Sequence, residues 1–307
     1  MRFVARWLRV ATVAGLIAAA CTQQAPSSRP ASATSLPSCR LPIARFDYGA
    51  GFVRFPSGKF EVARGVHFSK TFTFVAELNR WLPVPPAFVS PDGTSYAIST
   101  GNSVQIVDAR TGRTTRVISG AFNVVELTGD GILLSKSAAD ESPSLWIVPV
   151  GAEARLLEIA GALPTLDSNK FVPAGTTVWT QSRDGTQVVR IDLDRKVGSV
   201  WLTETGRLTI LGLDGAGNLI LWVYSDPPRL VTLTAQGQTT ILATAVPGFS
   251  PTSAMADGHG IWFGNGVQDG SVWLYRPSAG LKKVADVPPD PHAGTSDHST
   301  RIAGPCG

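Results

Sequence analysis

The stretch Ser90-Pro91-Asp92-Gly93-Thr94 is a polar turn between two apolar runs, residues 87–89 and residues 96–98. Asp and Gly suit a tight turn because hairpins need a positive φ or a side chain that caps the backbone. After a short glycine-containing break, two more extended runs follow, residues 103–107 and 113–118. Four extended runs joined by three polar turns predict one small antiparallel sheet.

The second hairpin of this unit recurs along the chain. Its copies begin at Ser103, Ser144, Gln187, Pro228 and Ser271, so the separations are 41, 43, 41 and 43 residues. A period of about 40 to 45 residues with four short strands is typical of a β-propeller blade. Each sheet has two apolar faces that only neighbouring sheets can bury, which favours closure into a ring.

Five such units lie between about residues 81 and 290. Residues 51–62 form a further hairpin around the turn Pro56-Ser57-Gly58, and residues 71–75 add a strand. We count this region as a sixth, irregular blade, completed by C-terminal residues 299–303. The predicted fold class is therefore all-β: a single propeller of four-stranded blades over residues 39–307, with six blades and seven as the alternative.

Composition agrees with one large all-β domain. The chain has 307 residues, of which 43% are hydrophobic and 16% charged, with 31 Gly and 22 Pro for many turns. Arg2, Arg6 and Arg9 lie in a segment that we expect to be removed, and subtracting them from 27 basic residues leaves 24, against 23 acidic. Near neutrality without a basic run argues against nucleic acid as a partner.

The first residues have the pattern of an export signal. Three arginines precede an uncharged stretch, residues 10–20, that ends in Ile17-Ala18-Ala19-Ala20-Cys21. A basic start, a short apolar segment and small residues predict a secretory signal peptide, residues 1–20. The apolar part is shorter than the roughly 20 residues that a transmembrane helix needs.

Small residues directly before Cys21 resemble a bacterial lipoprotein lipobox, although Ala18 stands where leucine is commonest. The resemblance implies cleavage before Cys21, lipid on its thiol and anchoring on the extracytoplasmic face of a bacterial membrane. The alternative is an ordinary signal peptide with an incidental cysteine. Residues 21–38, rich in Ser, Pro, Ala and Thr, are predicted to form a flexible tether.

If Cys21 carries lipid, Cys39 and Cys306 remain, at opposite ends of the domain. In an exported protein two such cysteines usually pair. A ring brings its termini together, so a Cys39–Cys306 disulfide and the propeller support each other. The alternative is two free thiols.

The sequence offers little evidence for catalysis. Its four histidines accompany no Gly-x-Ser-x-Gly elbow, and we assign no catalytic, cofactor or metal residues. His259 lies in a predicted turn. The segment from Asp290 to His298 has the best metal-ligand density, but its Pro/Gly/Ser-rich context favours a solvated loop over a metal site. The carboxylates available for a funnel enzyme are Glu126, Asp167, Asp192, Asp194 and Asp226.

Six tryptophans fall on predicted strands, and we interpret them as packing between blades. The alternative is an aromatic platform for sugars, which needs several of them exposed on one rim. They are Trp146, Trp179, Trp201, Trp222, Trp262 and Trp273.

The run Phe88-Val89-Ser90-Pro91-Asp92-Gly93-Thr94 resembles the repeat of TolB-type, WD-repeat-like bacterial propellers, and residues 181–186 echo it. Cys39-Arg40-Leu41-Pro42, Gly51-Phe52-Val53 and residues 80–85 are similar to secreted propellers of high-GC bacteria. The resemblance implies an extracytoplasmic propeller that holds protein partners, and it supplies no catalytic residues.

Together these features predict a monomeric, membrane-anchored binding module for a protein, peptide or glycan. The competing hypothesis is a propeller enzyme, either a glycan-acting hydrolase or lyase or a lactonase, that uses carboxylates in the central funnel. A third possibility is a structural envelope component without a small ligand.

Overall fold

The computed structural model describes residues 35–46, 49–66, 72–137, 142–266, 270–288 and 299–307. Thr34–Gly307 form one compact unit. It consists of β-strands and two short 3-10 helices, Ala76–Leu78 and Pro86–Phe88, so the all-β prediction is confirmed. Across the described ranges, no helix has the length and apolar character that crossing a membrane requires.

Several predictions concern other parts of the chain. The signal peptide, Cys21 and most of the tether lie outside the described residues, as do His67, His292 and His298.

The N-terminal third forms three sheets. The first contains β1 (Arg40–Arg45), β2 (Ala50–Arg54) and β3 (Lys59–Val62). A two-stranded sheet follows, made of β4 (Thr73–Val75) and β5 (Arg80–Leu82). The third has β6 (Ser95–Ser99), β7 (Ser103–Asp108) and β8 (Thr114–Ser119). Val89 bridges Tyr96 where a fourth, innermost strand would run.

Four sheets of four antiparallel strands follow in chain order. One has β9 (Asn123–Leu127), β10 (Gly131–Lys136), β11 (Ser144–Pro149) and β12 (Arg155–Leu157). The next has β13 (Leu166–Ala174), β14 (Thr177–Ser182), β15 (Gln187–Asp192) and β16 (Val197–Thr203). Then come β17 (Arg207–Leu213), β18 (Leu219–Tyr224), β19 (Arg229–Ala235) and β20 (Gln238–Thr244). The last has β21 (Pro251–Asp257), β22 (Gly260–Asn265), β23 (Ser271–Arg276) and β24 (Gly280–Asp286).

The C-terminal strand β25 (Thr300–Ile302) completes the first sheet. It pairs antiparallel with β1, placing Ile302 opposite Ile43 and Arg301 opposite Ala44, and the sheet order is β25-β1-β2-β3. The Cys39–Cys306 disulfide lies beside this pairing, with the two Cα atoms 5.5 Å apart. The predicted Cys39–Cys306 disulfide is therefore present in the structure, beside the strand pairing that closes the ring.

Contacts between successive sheets continue around the whole ring. The last sheet touches the first through β21, β22 and β25, and inner strands β9, β13, β17 and β21 touch in sequence. Six sheets of three or four strands have blade form, which fits the predicted count, and the two-stranded sheet is a seventh among the described residues.

The two-stranded sheet differs from the expectation that residues 71–75 belong to the first blade. Phe74 and Trp81 pack on the first sheet, while Val75 and Leu82 pack on the side of β6. This sheet therefore occupies a position of its own in the ring, reduced to two strands.

The tryptophans pack as predicted. Trp262 is fully buried between the last and first sheets, with its ring centroid 5.0 Å from that of Phe55. Trp179, Trp222 and Trp273 are buried, and Trp146 and Trp201 are half-buried against neighbouring apolar groups. Because none of the six is exposed, they form no aromatic platform.

The turn at Ser90-Pro91-Asp92-Gly93-Thr94 owes its shape to one carboxylate. Asp92 Oδ1 accepts hydrogen bonds from Ser90 Oγ at 2.6 Å, Thr94 N at 3.0 Å and Thr94 Oγ1 at 2.8 Å. These bonds favour the charged carboxylate and lower the pKa of Asp92, the bond from Ser90 having the largest effect. Gly93 takes a φ of +69°, which side chains other than glycine rarely adopt.

Candidate functional site

The innermost strands of the sheets surround the centre of the ring. They are β9, β13, β17, β21 and β25, together with the segment at Val89. Each pairs antiparallel with the second strand of its sheet, which for β25 is β1, so all of them begin on the same side. We call this side the entry face.

A cavity of about 540 Å³ opens on the entry face. Asn123, at the start of β9, and Ser99, at the end of β6, both line it, which fixes its position at the beginning of the inner strands. We call this cavity the entry pocket. Its lining consists of Pro83–Pro85, Ala87, Phe88, Ile98, Ser99, Asn123–Val125, Ser135, Ser168 and Phe171.

The polar groups of the entry pocket are hydroxyls and one amide. Ser99 Oγ accepts a hydrogen bond from Val124 N at 3.2 Å. Ser135 is fully buried, and its Oγ has no hydrogen-bond partner among the described residues. Since buried polar atoms are nearly always paired in native proteins, this hydroxyl is free to hydrogen-bond with a ligand or water in the pocket.

An irregularity in β13 shapes the floor of this pocket. Leu166 pairs with Ser182 and Phe171 with Thr180, so four residues, 167–170, face the single residue Gln181. Such a bulge re-aims side chains away from the regular sheet. It places Ser168 and Phe171 in the entry pocket and carries Asp167 and Lys170 on the innermost strand.

Lys170 lies among charged groups from three sheets. Burial lowers the pKa of Lys170; Asp167 opposes this shift, whereas Arg301 and Arg207 add to it. The side chain is nevertheless exposed to solvent, as expected of a group in a water-filled opening with protein on several sides.

The carboxylates proposed for catalysis are dispersed. Glu126 lies in the middle of β9, where burial raises the pKa of its carboxyl, and Asp167 lies in the β13 bulge. Asp192 and Asp194 lie at the β15–β16 turn, on the side opposite the entry face, and Asp226 is exposed between β18 and β19. The structure thus places two of the five on inner strands of adjacent sheets and the other three outside the inner strands.

The structure places His259 in a turn and shows no metal site among the described residues. His259 lies in the β21–β22 turn, where its backbone N–H donates to Asp257 Oδ1 at 2.8 Å, as its predicted turn role requires. Within the described ranges, no group of three or more His, Cys, Asp or Glu residues could hold a metal ion. Residues 290–298 lie outside these ranges.

Comparison with known proteins supports the fold. No family model matches the chain, and no curated protein sequence matches it. A protein assigned as TolB from Agrobacterium tumefaciens has a similar structure, with a TM-score of 0.51 and 12% identity over 88% of this chain and 94% of that one. TolB from Acinetobacter baumannii gives a TM-score of 0.53 and 13% identity over 87% of this chain and 67% of that one.

The chain is therefore a β-propeller, and its fold is TolB-like. At this level of identity the likeness concerns the fold alone.

Proposed function

We propose that the protein is an exported, lipid-anchored binding propeller that holds a protein, peptide or glycan at the entry pocket. The observation that carries this proposal is the lining of the pocket. It combines apolar Pro, Val, Ile and Phe side chains with serine hydroxyls and the Asn123 amide, and it contains no Asp, Glu, His or Cys. General acid–base catalysis needs a titratable group within hydrogen-bond reach of the reacting atoms.

The competing enzyme hypothesis requires two carboxylates that flank one substrate bond. Asp192 and Asp194 lie at the β15–β16 turn on the side opposite the entry face, and none of the five carboxylates lines the entry pocket. A concave, mostly apolar pocket with a few placed polar groups is the usual form of a binding site.

The membrane anchor is part of the same proposal. The signal peptide of residues 1–20, lipid on Cys21 and the tether of residues 21–38 place the propeller on the extracytoplasmic face of a bacterial envelope. The disulfide between Cys39 and Cys306 supports an oxidising compartment. We propose a monomer that does not bind nucleic acid.

The test is capture from an envelope extract with the soluble unit Thr34–Gly307 as bait. Ser168→Trp fills the entry pocket, and Val150→Trp is the matched control, because Val150 is 71% exposed and lies on the opposite side in the β11–β12 turn. We expect the wild type and Val150→Trp to retain the same partner and Ser168→Trp to lose it. Equal capture by both variants, or turnover of a glycan or lactone panel without capture, would contradict the proposal.

A further inference from the structure

Three basic residues lie on innermost strands of the ring. Lys170, Arg207 and Arg301 come from β13, β17 and β25, the inner strands of three different sheets. Each is exposed, and none makes a hydrogen bond or ion pair within the part of the chain that the structure describes. By contrast, Arg229 pairs with Glu204 at 3.1 Å.

The direction of Arg301 follows from its neighbours on β25. Thr300 is fully buried and donates its hydroxyl to Ser271 O at 3.1 Å, and Ile302 is buried in the core shared by the first and last sheets. Arg301 alternates with these two residues, so it points away from that core. Because β25 is an innermost strand with sheets on both sides, the solvent that contacts Arg301 is that of the central opening.

Arg207 begins the inner strand β17 and packs against the β14–β15 turn of the neighbouring sheet. Its backbone neighbour Leu208 donates to Gly185 O at 2.7 Å. A methyl group on Gly185 would lie 3.0 Å from Arg207 Cγ, so the side chain is packed along this glycine. Asp167 is the acidic residue that acts on Lys170, against two arginines.

We propose that Lys170, Arg207 and Arg301 bind an anionic group, a carboxylate or a phosphate, of the ligand in the entry pocket. This inference rests on the proposed function, because it assigns a chemical class to the ligand of the same site. Like charges held together cost free energy, which a bound anion offsets. Ser135 on β10 supplies a hydroxyl in the adjoining pocket, and so does Ser168, which lies in the β13 bulge that also carries Lys170.

The experiment uses Thr34–Gly307, which contains every described strand and the closing disulfide. Inorganic phosphate and succinate are titrated separately at constant ionic strength, and amide chemical shifts are followed by NMR. We expect saturable shifts at residues 167–171, 207 and 301, and the tighter of the two probes identifies the anion.

Variants separate this site from general charge effects. Lys170→Met and Arg301→Gln each weaken probe binding about tenfold, the value of one charge-assisted hydrogen bond. Arg113→Gln removes the same charge from an exposed turn on the opposite side and leaves binding unchanged. Asp167→Asn tightens binding, a gain that misfolding does not produce.

Absence of saturable binding, or equal weakening by Arg113→Gln, overturns the inference. If partner capture is lost in Ser168→Trp yet unchanged in Lys170→Met and Arg301→Gln, the anion site is wrong while the proposed function stands. If the probes bind as expected but no partner is captured, the anion site stands and the proposed function fails.

Discussion

The Cys39–Cys306 disulfide offers the sharpest test of ring closure, through the variant Cys39→Ala/Cys306→Ala. The two residues are 267 positions apart, so the bond closes a loop of almost the whole domain. Chain-entropy theory assigns a loop of this size about 5.6 kcal/mol of stabilisation, slightly above the upper end of measured values, about 5 kcal/mol. A domain's total stability is about 5 to 15 kcal/mol, so the loss is large.

The variant should nevertheless fold. The β1–β25 pairing remains, and beyond it Arg40 N donates to Gly307 O at 2.8 Å. Asp257 Oδ2 accepts from both Trp262 Nε1 at 2.8 Å and Cys306 N at 3.0 Å, which holds the C-terminus to the last sheet without sulfur. We therefore expect an unchanged native circular dichroism spectrum and a lower urea midpoint.

Urea unfolding of four samples tests whether the disulfide stabilises the fold. The samples are the wild type and the double variant, each with and without reductant. Reduced wild type should unfold at the midpoint of the double variant, and reductant should not affect the variant. Because the bond needs both cysteines, each single alanine variant should lose as much as the pair. The reasoning is refuted if reductant leaves the wild-type midpoint unchanged or if the native protein titrates two free thiols.

Three further predictions concern the core, the turns and pH. Glu126→Gln should stabilise the protein at pH 8: burial raises the folded pKa of Glu126, so its charge destabilises the fold above that pKa. We expect the free energy of unfolding to rise by at most about 1 kcal/mol after solvent screening. This gain disappears at low pH, because Glu126 of the wild type is then protonated in both the folded and the unfolded state. A variant that is less stable than the wild type at pH 8 would contradict the prediction. Gly112→Ala should lower the free energy of unfolding by about 1 kcal/mol, because Gly112 has a φ of +71° and an added methyl group there would contact no other atom. Gly93→Ala should cost about 1 kcal/mol more in urea unfolding, because its methyl would lie 3.0 Å from Val75 Cγ1; equal costs would exclude that contact. Trp262→Ala should lower the free energy of unfolding by about 3 to 5 kcal/mol, and Trp201→Ala should lower it less, because Trp201 is only half-buried. A lower urea midpoint for Trp201→Ala than for Trp262→Ala would contradict the assignment of Trp262 to the core.

The repeat could be predicted from sequence because its signals are local. Turn glycines, alternating strands and a period near 42 residues depend on neighbours in the chain, and the six sheets of blade form follow that pattern. The turn motif itself did not specify its position in the blade. Ser90 to Thr94 precedes β6, whereas the same hydrogen-bond pattern around Asp184 joins β14 to β15, the second and third strands of its sheet.

The parts that sequence reasoning missed depend on distant contacts. The sequence pattern does not predict β1, because its apolar run is explained only by pairing with β25 and β2. The bulge at residues 167–170 looks like an ordinary polar stretch until its pairing with Gln181 is known. Lys170, Arg207 and Arg301 are 37 or more residues apart in sequence, so only ring closure brings them together.

Ring closure by the C-terminal strand is tested most directly by backbone NOE measurements on deuterated, ¹⁵N-labelled Thr34–Gly307. Cross-strand contacts between Ala44 and Arg301, and between Ile43 and Ile302, are the predicted result. Antiparallel backbone pairing of Thr300–Ile302 with any strand other than β1, or no such pairing at all, would contradict a ring closed at this sheet.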